Sequence, residues 1–404
     1  MRLLVVTDQY APMVGGVPAV TRGLATALAE RGHEVTVLAP SPGVRPGAGR
    51  DGGASVRYIA SVPWPWYSGM RVARPPLRAV RDALAAASPD VVHIHSPLVL
   101  GVLARRVAVS GGIPVVYTNH YLPANVRTTP GGGSQALDRS FYSWVVGFAN
   151  RCGYVTAPSQ AALDLLRERG LAVPSQVISN GVDQRAFAPG PPDAAVGGRY
   201  GLRPGYPVIL SVGRLSGEKR VDVLLQAASR LRTPAQLAIA GAGPLAGQLR
   251  NQAARLRLAG RVLFLGHVPD ADLPALYRTA DVFAIASEAE LQSLAAMEAM
   301  ASGLPVVAAD ACALGELVRP DHNGYLFARG DAADLARYLD RLTADTGLRQ
   351  RMGTESLRII TRHGRENTLQ TWEVVYGLMA RLSRSTSSAR SSQPASQPAS
   401  REAV

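Results

Sequence analysis

Residues 208–240 read VILSVGRLSGEKRVDVLLQAASRLRTPAQLAIA, and this stretch decides the fold. Val208–Val212 is an unbroken apolar run, as expected of a strand covered on both faces. A polar turn holding Gly213 and Gly217 follows. A helical pattern then covers Arg220–Leu231, and a second apolar run covers Gln236–Ala240. Strand, helix, strand with both strands fully apolar is a βαβ unit, which implies parallel strands with helices on the faces.

The alternation continues outward on both sides. Toward the C-terminus it predicts helix Leu245–Leu258, strand Arg261–Leu265, helix Ala271–Ala280, strand Val282–Ala286, helix Leu294–Ser302 and strand Val306–Ala308. Helical patterns then run from Asp331 to about Ser383. Toward the N-terminus it predicts strand Leu3–Asp8, helix Val17–Arg31 stopped by Gly32, and strands Glu34–Ala39, Val91–His95, Val115–Thr118, Tyr154–Ala157 and Gln176–Ser179. Between the two series, Pro189–Pro207 (PGPPDAAVGGRYGLRPGYP) reads as a link. The expectation is an α/β chain of two doubly wound Rossmann-like domains, residues 1–188 and 208–364, joined by 189–207. The Ser/Gln/Pro/Ala-rich end, 384–404, reads as disordered. Doubly wound sheets bind ligands beyond the carboxyl ends of their strands, so two of them in series imply a central cleft.

Composition narrows the function. Forty-three basic residues against 30 acidic ones leave a net charge of +13. The excess is spread out: residues 1–183 hold 17 arginines and 10 acidic groups. Without a dense basic run, nucleic acid is not the expected partner; an anionic membrane surface or a phosphorylated substrate accounts for the charge. The two cysteines, Cys152 and Cys312, sit in apolar surroundings and read as buried free thiols of a reducing cytoplasm. The N-terminus enters a strand without a signal-peptide pattern, and no apolar stretch reaches the ~18 residues that span a bilayer.

Several residues after the strands can carry chemistry. Leu291–Ala309 (LQSLAAMEAMASGLPVVAA) contains one charge, Glu298. A helix apolar all round is buried, so this carboxylate needs partners. They are an internal arginine or backbone cap, or the hydroxyls of a ligand such as a ribose. Glu290 precedes it in the loop entering that helix, whose first N–H groups, on Gln292, Ser293 and Leu294, can meet an oxyanion or sugar hydroxyl. Lys219 is the only lysine of the chain. A compact, flexible cation suits a phosphate at a helix start, and Arg214 reaches the same place; a solvated surface lysine is the plainer alternative. Charge-assisted hydrogen bonds contribute roughly 1.5–3 kcal/mol each. Gly15-Gly16 lets a backbone approach a ligand closely, or forms a plain turn. His120 ends a strand where it can bind a sugar or move a proton, or simply be a satisfied structural histidine. His93 and His95 share a strand face like paired metal ligands, but nothing nearby completes a set. Gly241-Ala-Gly-Pro-Leu-Ala246 fits the dinucleotide fingerprint without the acidic residue expected some ~20 positions later, so NAD is not expected.

The segments VTDQYAPMVGGV, VVHIHSP, TNHYLPAN, ISNGVD, SVGRLSGEKR, Glu290-x7-Glu298, EAMASGLPVVA and NGYLF occur in this order along most of the chain. Together they resemble glycosyltransferase family 4, retaining enzymes of the GT-B fold. The resemblance implies transfer of a hexose from a nucleotide-sugar (UDP- or GDP-linked), with no metal and no further cofactor. It implies that Gly15 and Gly16 face the donor diphosphate, that Arg214 and Lys219 bind its phosphates, and that Glu298 holds the ribose. Glu290 would meet the donor sugar, His120 its far hydroxyl, and Tyr10 the acceptor. A final helix, 365–383, would cross back onto the first domain. Ser293 stands where the family usually has glycine, which touches the sugar's identity rather than the reaction.

Residues 64–81 interleave Trp64, Trp66 and Tyr67 with Arg71, Arg74, Arg78 and Arg81. With a helix beginning near Arg74, Arg74, Arg78 and Arg81 would share a face suited to a membrane interface, or form an ordinary solvated surface. This stretch resembles members that glycosylate diacylglycerol or phosphatidylinositol-type lipids at the inner face of the cell membrane. Soluble or polymeric acceptors, a non-catalytic sugar-nucleotide binder and a nucleotide-sugar epimerase are the alternatives. No motif specifies the base, the sugar or the oligomeric state.

Overall fold

The computed structural model describes residues 1–64, 70–74, 76–122 and 135–391, with side chains throughout except at 135–138 and 386–391. The described residues form two sheets and a small hairpin. The first sheet begins with β1 (Arg2–Val6), β2 (Glu34–Pro40), β3 (Gly47–Asp51) and β4 (Ala54–Ile59). The hairpin follows as β5 (Ser61–Pro63) and β6 (Arg71–Ala73). The first sheet is completed by β7 (Val91–Ile94), β8 (Val115–Thr118), β9 (Tyr154–Ala157) and β10 (Ser175–Val177), in the order β10-β9-β8-β7-β1-β2-β4-β3. The second sheet contains β11 (Val208–Val212), β12 (Gln236–Ala240), β13 (Val262–Gly266), β14 (Val282–Ile285), β15 (Val306–Ala309) and β16 (Gly324–Phe327), ordered β13-β12-β11-β14-β15-β16.

Every pairing in the two sheets is parallel except β3 with β4. The central strands are buried along their length, which is why they read as continuous apolar runs rather than alternating ones. The strand order reverses between β1 and β7 in the first sheet and between β11 and β14 in the second. Crevices open at such switch points.

The structure corrects the sequence reading in several places. The polar segments β3, β4 and the β5–β6 hairpin carry no long apolar run and were not expected; the exposed β3 is an edge strand that a hydrophobic pattern cannot reveal. The stretch 189–207 is more than a link: Asp193 caps a helix, Ala194–Arg199, and Val196 and Leu202 are buried in the second core. The second helix of the first half is Leu77–Ala87, so Arg74 precedes it and donates its backbone N–H to Ala60 O. Pro76, extended at the N-cap (φ −65°, ψ 143°), marks the later start. Cys152 is buried, but Cys312 is exposed. It occupies a left-handed turn position (φ 46°) after β15.

The last helix, Arg365–Ser391, extends past the expected end at 383, so residues 384–391 are helical rather than disordered. Leu369, Trp372, Val375, Tyr376, Met379 and Ala380 recur at helical spacing. They are buried with Leu3, Val5, Val91 and Val116 of the first sheet. Burying a large apolar side chain contributes roughly 1.5–3 kcal/mol, so this helix is a structural part of the first core although it follows the second sheet in sequence. Arg31 adds ion pairs to Glu366 and Glu373.

Candidate active site

The loops at the second switch point carry the charged cluster. After β11, Gly213–Ser216 leads into a single 3-10 turn, Gly217–Lys219, and Arg220 follows in left-handed backbone (φ 47°). After β14, Ser287–Ser293 runs alongside. The two loops are tied by the Glu288 N–H and the Ser287 hydroxyl, both donating to Glu218 O. Across this seam Lys219 Nζ meets Glu290 Oε1 at 2.6 Å, and Glu290 is 8% exposed. Arg220 pairs with Asp222 and Glu288, a bridge not anticipated from sequence. Arg214 lies on the same loop, half-buried. The lone lysine therefore belongs to a built ionic seam at the carboxyl edge of the sheet rather than to a solvated face.

Ser293 caps the helix Leu294–Ala301, its Oγ accepting from the Ala296 N–H at 3.3 Å. This gives the serine a local reason to stand where the family has glycine. Among the described residues, the backbone N–H groups of Gln292, Ser293 and Leu294 donate to no protein acceptor. Along that helix Glu298 has neither an arginine nor a backbone cap among the described residues. Its partner is the Tyr277 hydroxyl, which donates to Oε2 at 2.8 Å, while Oε1 has no protein partner among the described residues and is not sealed from solvent. Burial raises the Glu298 carboxyl to about 7, because a low-dielectric setting disfavours the charged form. Tyr277 was missed in the sequence; only its position in the neighbouring helix, Leu273–Thr279, brings it there.

The first domain contributes the facing edge. His120, just beyond β8, is 7% exposed, and its Nε2 lies 2.9 Å from His95 Nδ1. Burial lowers its pKa to about 4, so it is neutral at pH 7. His93 spends both ring nitrogens, on the Tyr376 hydroxyl (2.8 Å) and Thr118 Oγ1 (2.7 Å). Among the described residues no group of His, Cys, Asp or Glu is arranged to hold a metal. Asp8, also beyond β1, accepts from the Leu100 N–H and caps the otherwise uncapped helix Val99–Ser110; burial raises its carboxyl to about 7.

Gly15, in extended backbone, is the N-cap of the helix Gly16–Glu30, and Gly16 is its first residue. A Cβ at Gly16 would meet nothing within 4 Å, and one at Gly15 only Pro18 Cδ at 3.7 Å. The fold itself does not require glycine at either position. The fingerprint-like glycines are the opposite case: a Cβ at Gly241 would sit 1.9 Å from Gly213 O, and one at Gly243 2.4 Å from Leu215 O. They are there so that the β12 loop can press against the Gly213–Leu215 turn.

The two edges meet at the 287–293 loop. Gln292 Oε1 accepts from the Asn180 N–H at 2.8 Å, and Leu291 packs on the first domain's core. Glu316 of the second domain accepts from the Gln160 and Ala161 N–H groups at the start of the helix Gln160–Arg167. The Gln292 side chain thus works as an interdomain tie. Tyr10, expected at the acceptor, is 4% exposed, and its hydroxyl donates to Asp51 Oδ2 on the edge strand β3. In the basic-aromatic stretch Trp64 is 39% exposed, and Arg74, Arg78 and Arg81 are exposed. Trp66 lies outside the described residues. Among the described residues no helix is long and apolar enough to cross a membrane.

Two facing doubly wound domains, with an ionic seam, a buried carboxylate and a histidine at their adjoining edges, define a GT-B glycosyltransferase. HepE from Anabaena, solved with UDP, superposes with a TM-score of 0.74 at 22% identity, covering 93% of this chain and all of that one. Residues 14–185 match the family model Glycosyltransferase Family 4, and residues 198–358 match Glycosyl transferases group 1. A GDP-mannose-dependent alpha-mannosyltransferase of Mycolicibacterium smegmatis is 30% identical over 93% of this chain and 95% of its own length. The alpha-monoglucosyldiacylglycerol synthase of Streptococcus pneumoniae is 28% identical over 81% of this chain and 75% of its own. The protein belongs to glycosyltransferase family 4.

Proposed function

We propose that this glycosyltransferase moves a hexose from a UDP- or GDP-sugar, with retention, to a membrane lipid of the diacylglycerol or phosphatidylinositol type. The Lys219–Glu290 pair at the second switch point carries the reading. Lys219 and Arg214 meet the diphosphate, and Gly15 and Gly16 leave it room from the other domain. Glu298 accepts from the ribose hydroxyls through its unpaired Oε1, while the amides of Gln292–Leu294 and the Glu290 carboxylate hold the sugar and His120 its far hydroxyl.

In the reaction the bond between the anomeric carbon and the diphosphate oxygen breaks as the acceptor hydroxyl attacks from the same face and passes its proton to that departing oxygen. Negative charge grows on the departing diphosphate, and preorganised cations stabilise that charge more than the ground state. Support for the nucleotide-sugar comes from the UDP in HepE and from the GDP-mannose named in the mycobacterial relative. Support for the lipid comes from the streptococcal relative and from the exposed Trp64, Arg74, Arg78 and Arg81.

The test combines thermal-shift screening against UDP- and GDP-sugars with transfer assays on anionic vesicles containing diacylglycerol or phosphatidylinositol. A glycolipid product with the donor's anomeric configuration is expected. Donor-dependent stabilisation without vesicle binding or any glycolipid would replace the lipid by a soluble acceptor. Donor isomers without transfer would make the protein an epimerase.

A further inference from the structure

His95 and His120 form an imidazole–imidazole hydrogen bond. Nδ1 of the first lies 2.9 Å from Nε2 of the second, with ring planes within 10° and centroids 5.2 Å apart. Both rings are held neutral by burial. A neutral imidazole carries one N–H and one bare nitrogen. One proton therefore lies between them, and the ring that owns it decides what each presents on its far side.

The far side of His95 settles the choice. Its Nε2 is buried and has no hydrogen-bond partner among the described residues. If His120 donated, the proton of His95 would sit on that Nε2 as an orphaned buried N–H, which is rarer in folded proteins than an under-used acceptor. If His95 donates from Nδ1, its Nε2 is a bare lone pair. His120, accepting at Nε2, then carries its own proton on Nδ1. That Nδ1 has no protein partner among the described residues and is not sealed from solvent.

We infer that His95 is a positioning residue that fixes His120 as a hydrogen-bond donor, presenting Nδ1–H to the substrate. The inference rests on the proposed placement of His120 at the sugar. It makes His120 a fixed donor rather than a base, because its only free nitrogen is already protonated. The substrate group at that point must accept a hydrogen bond, as a hydroxyl or carboxylate oxygen can and an ammonium cannot. Nearby, His93, whose ring centroid lies 4.0 Å from that of His95, engages Tyr376 and Thr118, and Asp8, just beyond β1, accepts from the Leu100 N–H at Oδ1 while its Oδ2 has no partner among the described residues.

The experiment is a 15N–1H correlation of the imidazole nitrogens in histidine-labelled full-length protein, with His120 assigned by its loss in His120→Asn, together with kinetics of two variants. In the wild type, Nδ1 of His120 should be protonated and Nε2 bare throughout pH 6–8. His95→Asn can still donate from the same place and should keep kcat/KM within about threefold. His95→Asp can only accept. It should move the His120 proton to Nε2, lower kcat/KM by about tenfold or more, and add an inflection near neutral pH, because an adjacent carboxylate raises a histidine's pKa. Wild-type protein with the His120 proton on Nε2 would overturn the inference, as would His95→Asp with unchanged kcat/KM and an unchanged pH profile. The expected tautomer combined with wild-type kinetics in His120→Ala would instead refute the placement of His120 at the substrate.

Discussion

Replacing Glu298 by glutamine separates its electrostatic cost from its use. The substitution keeps the shape and an acceptor for the Tyr277 hydroxyl while removing the charge. In the folded protein the carboxyl ionises at about 7 against an ordinary value of 4.5. Below pH 4.5 the group is neutral in folded and unfolded chains alike and costs nothing. Above pH 7 it is charged in both, and only the folded chain bears the desolvation. That gap corresponds to about 3 kcal/mol at most. Glu298→Gln should therefore match the wild type near pH 4.5 and gain on it as the pH rises to about 7, after which the gap is constant. In a domain of this size 1 kcal/mol moves Tm by about 2–4 °C, so several degrees are expected at pH 8. On the proposed ribose contact the same variant loses charge-assisted bonds worth roughly 1.5–3 kcal/mol each, so donor KM should rise about 10–100-fold with a smaller change in kcat. Thermal denaturation from pH 4.5 to 8.5 and donor titrations read both effects. A Tm gap that does not widen with pH, or an unchanged KM, would refute the reasoning.

Lys219→Ala should lower kcat/KM by about 100-fold or more in a donor-turnover assay, since it removes a cation from the departing diphosphate. Gly16→Ala should leave Tm unchanged within about a degree, because its Cβ meets nothing within 4 Å, and should weaken donor stabilisation in a thermal-shift titration. Gly243→Ala, whose Cβ would lie 2.4 Å from Leu215 O, should instead cost about 1–3 kcal/mol of stability by denaturant unfolding. Arg78→Glu with Arg81→Glu should reduce binding to anionic vesicles more than tenfold in a sedimentation assay, since each basic residue near such a surface contributes about 1 kcal/mol.

The parallel strands were legible because burial on both faces leaves an unbroken apolar run; β8, β9, β11 and β12 have the bounds their sequence implies. The antiparallel edge β3 and the β5–β6 hairpin were not, because exposed short strands carry no such run. The residues of the seam were legible as unusual types in apolar or glycine-rich settings: one lysine, one acid in an apolar helix. Their partners were not. Tyr277 reaches Glu298 from 21 residues away and Glu290 reaches Lys219 from 71, and no periodicity encodes such distances. The Tyr10–Asp51 contact is hidden in the same way, because Asp51 lies on the strand that the pattern cannot show.

The helix Arg365–Ser391 makes the halves of this chain unequal as modules. A recombinant that swapped everything after residue 188 for a relative's sequence would hand its N-terminal half a foreign Trp372, Val375, Tyr376 and Met379 to pack beneath. Exchange of donor specificity between family members should therefore succeed only when the crossover comes in pairs, with the tail inherited from the same parent as the first 188 residues.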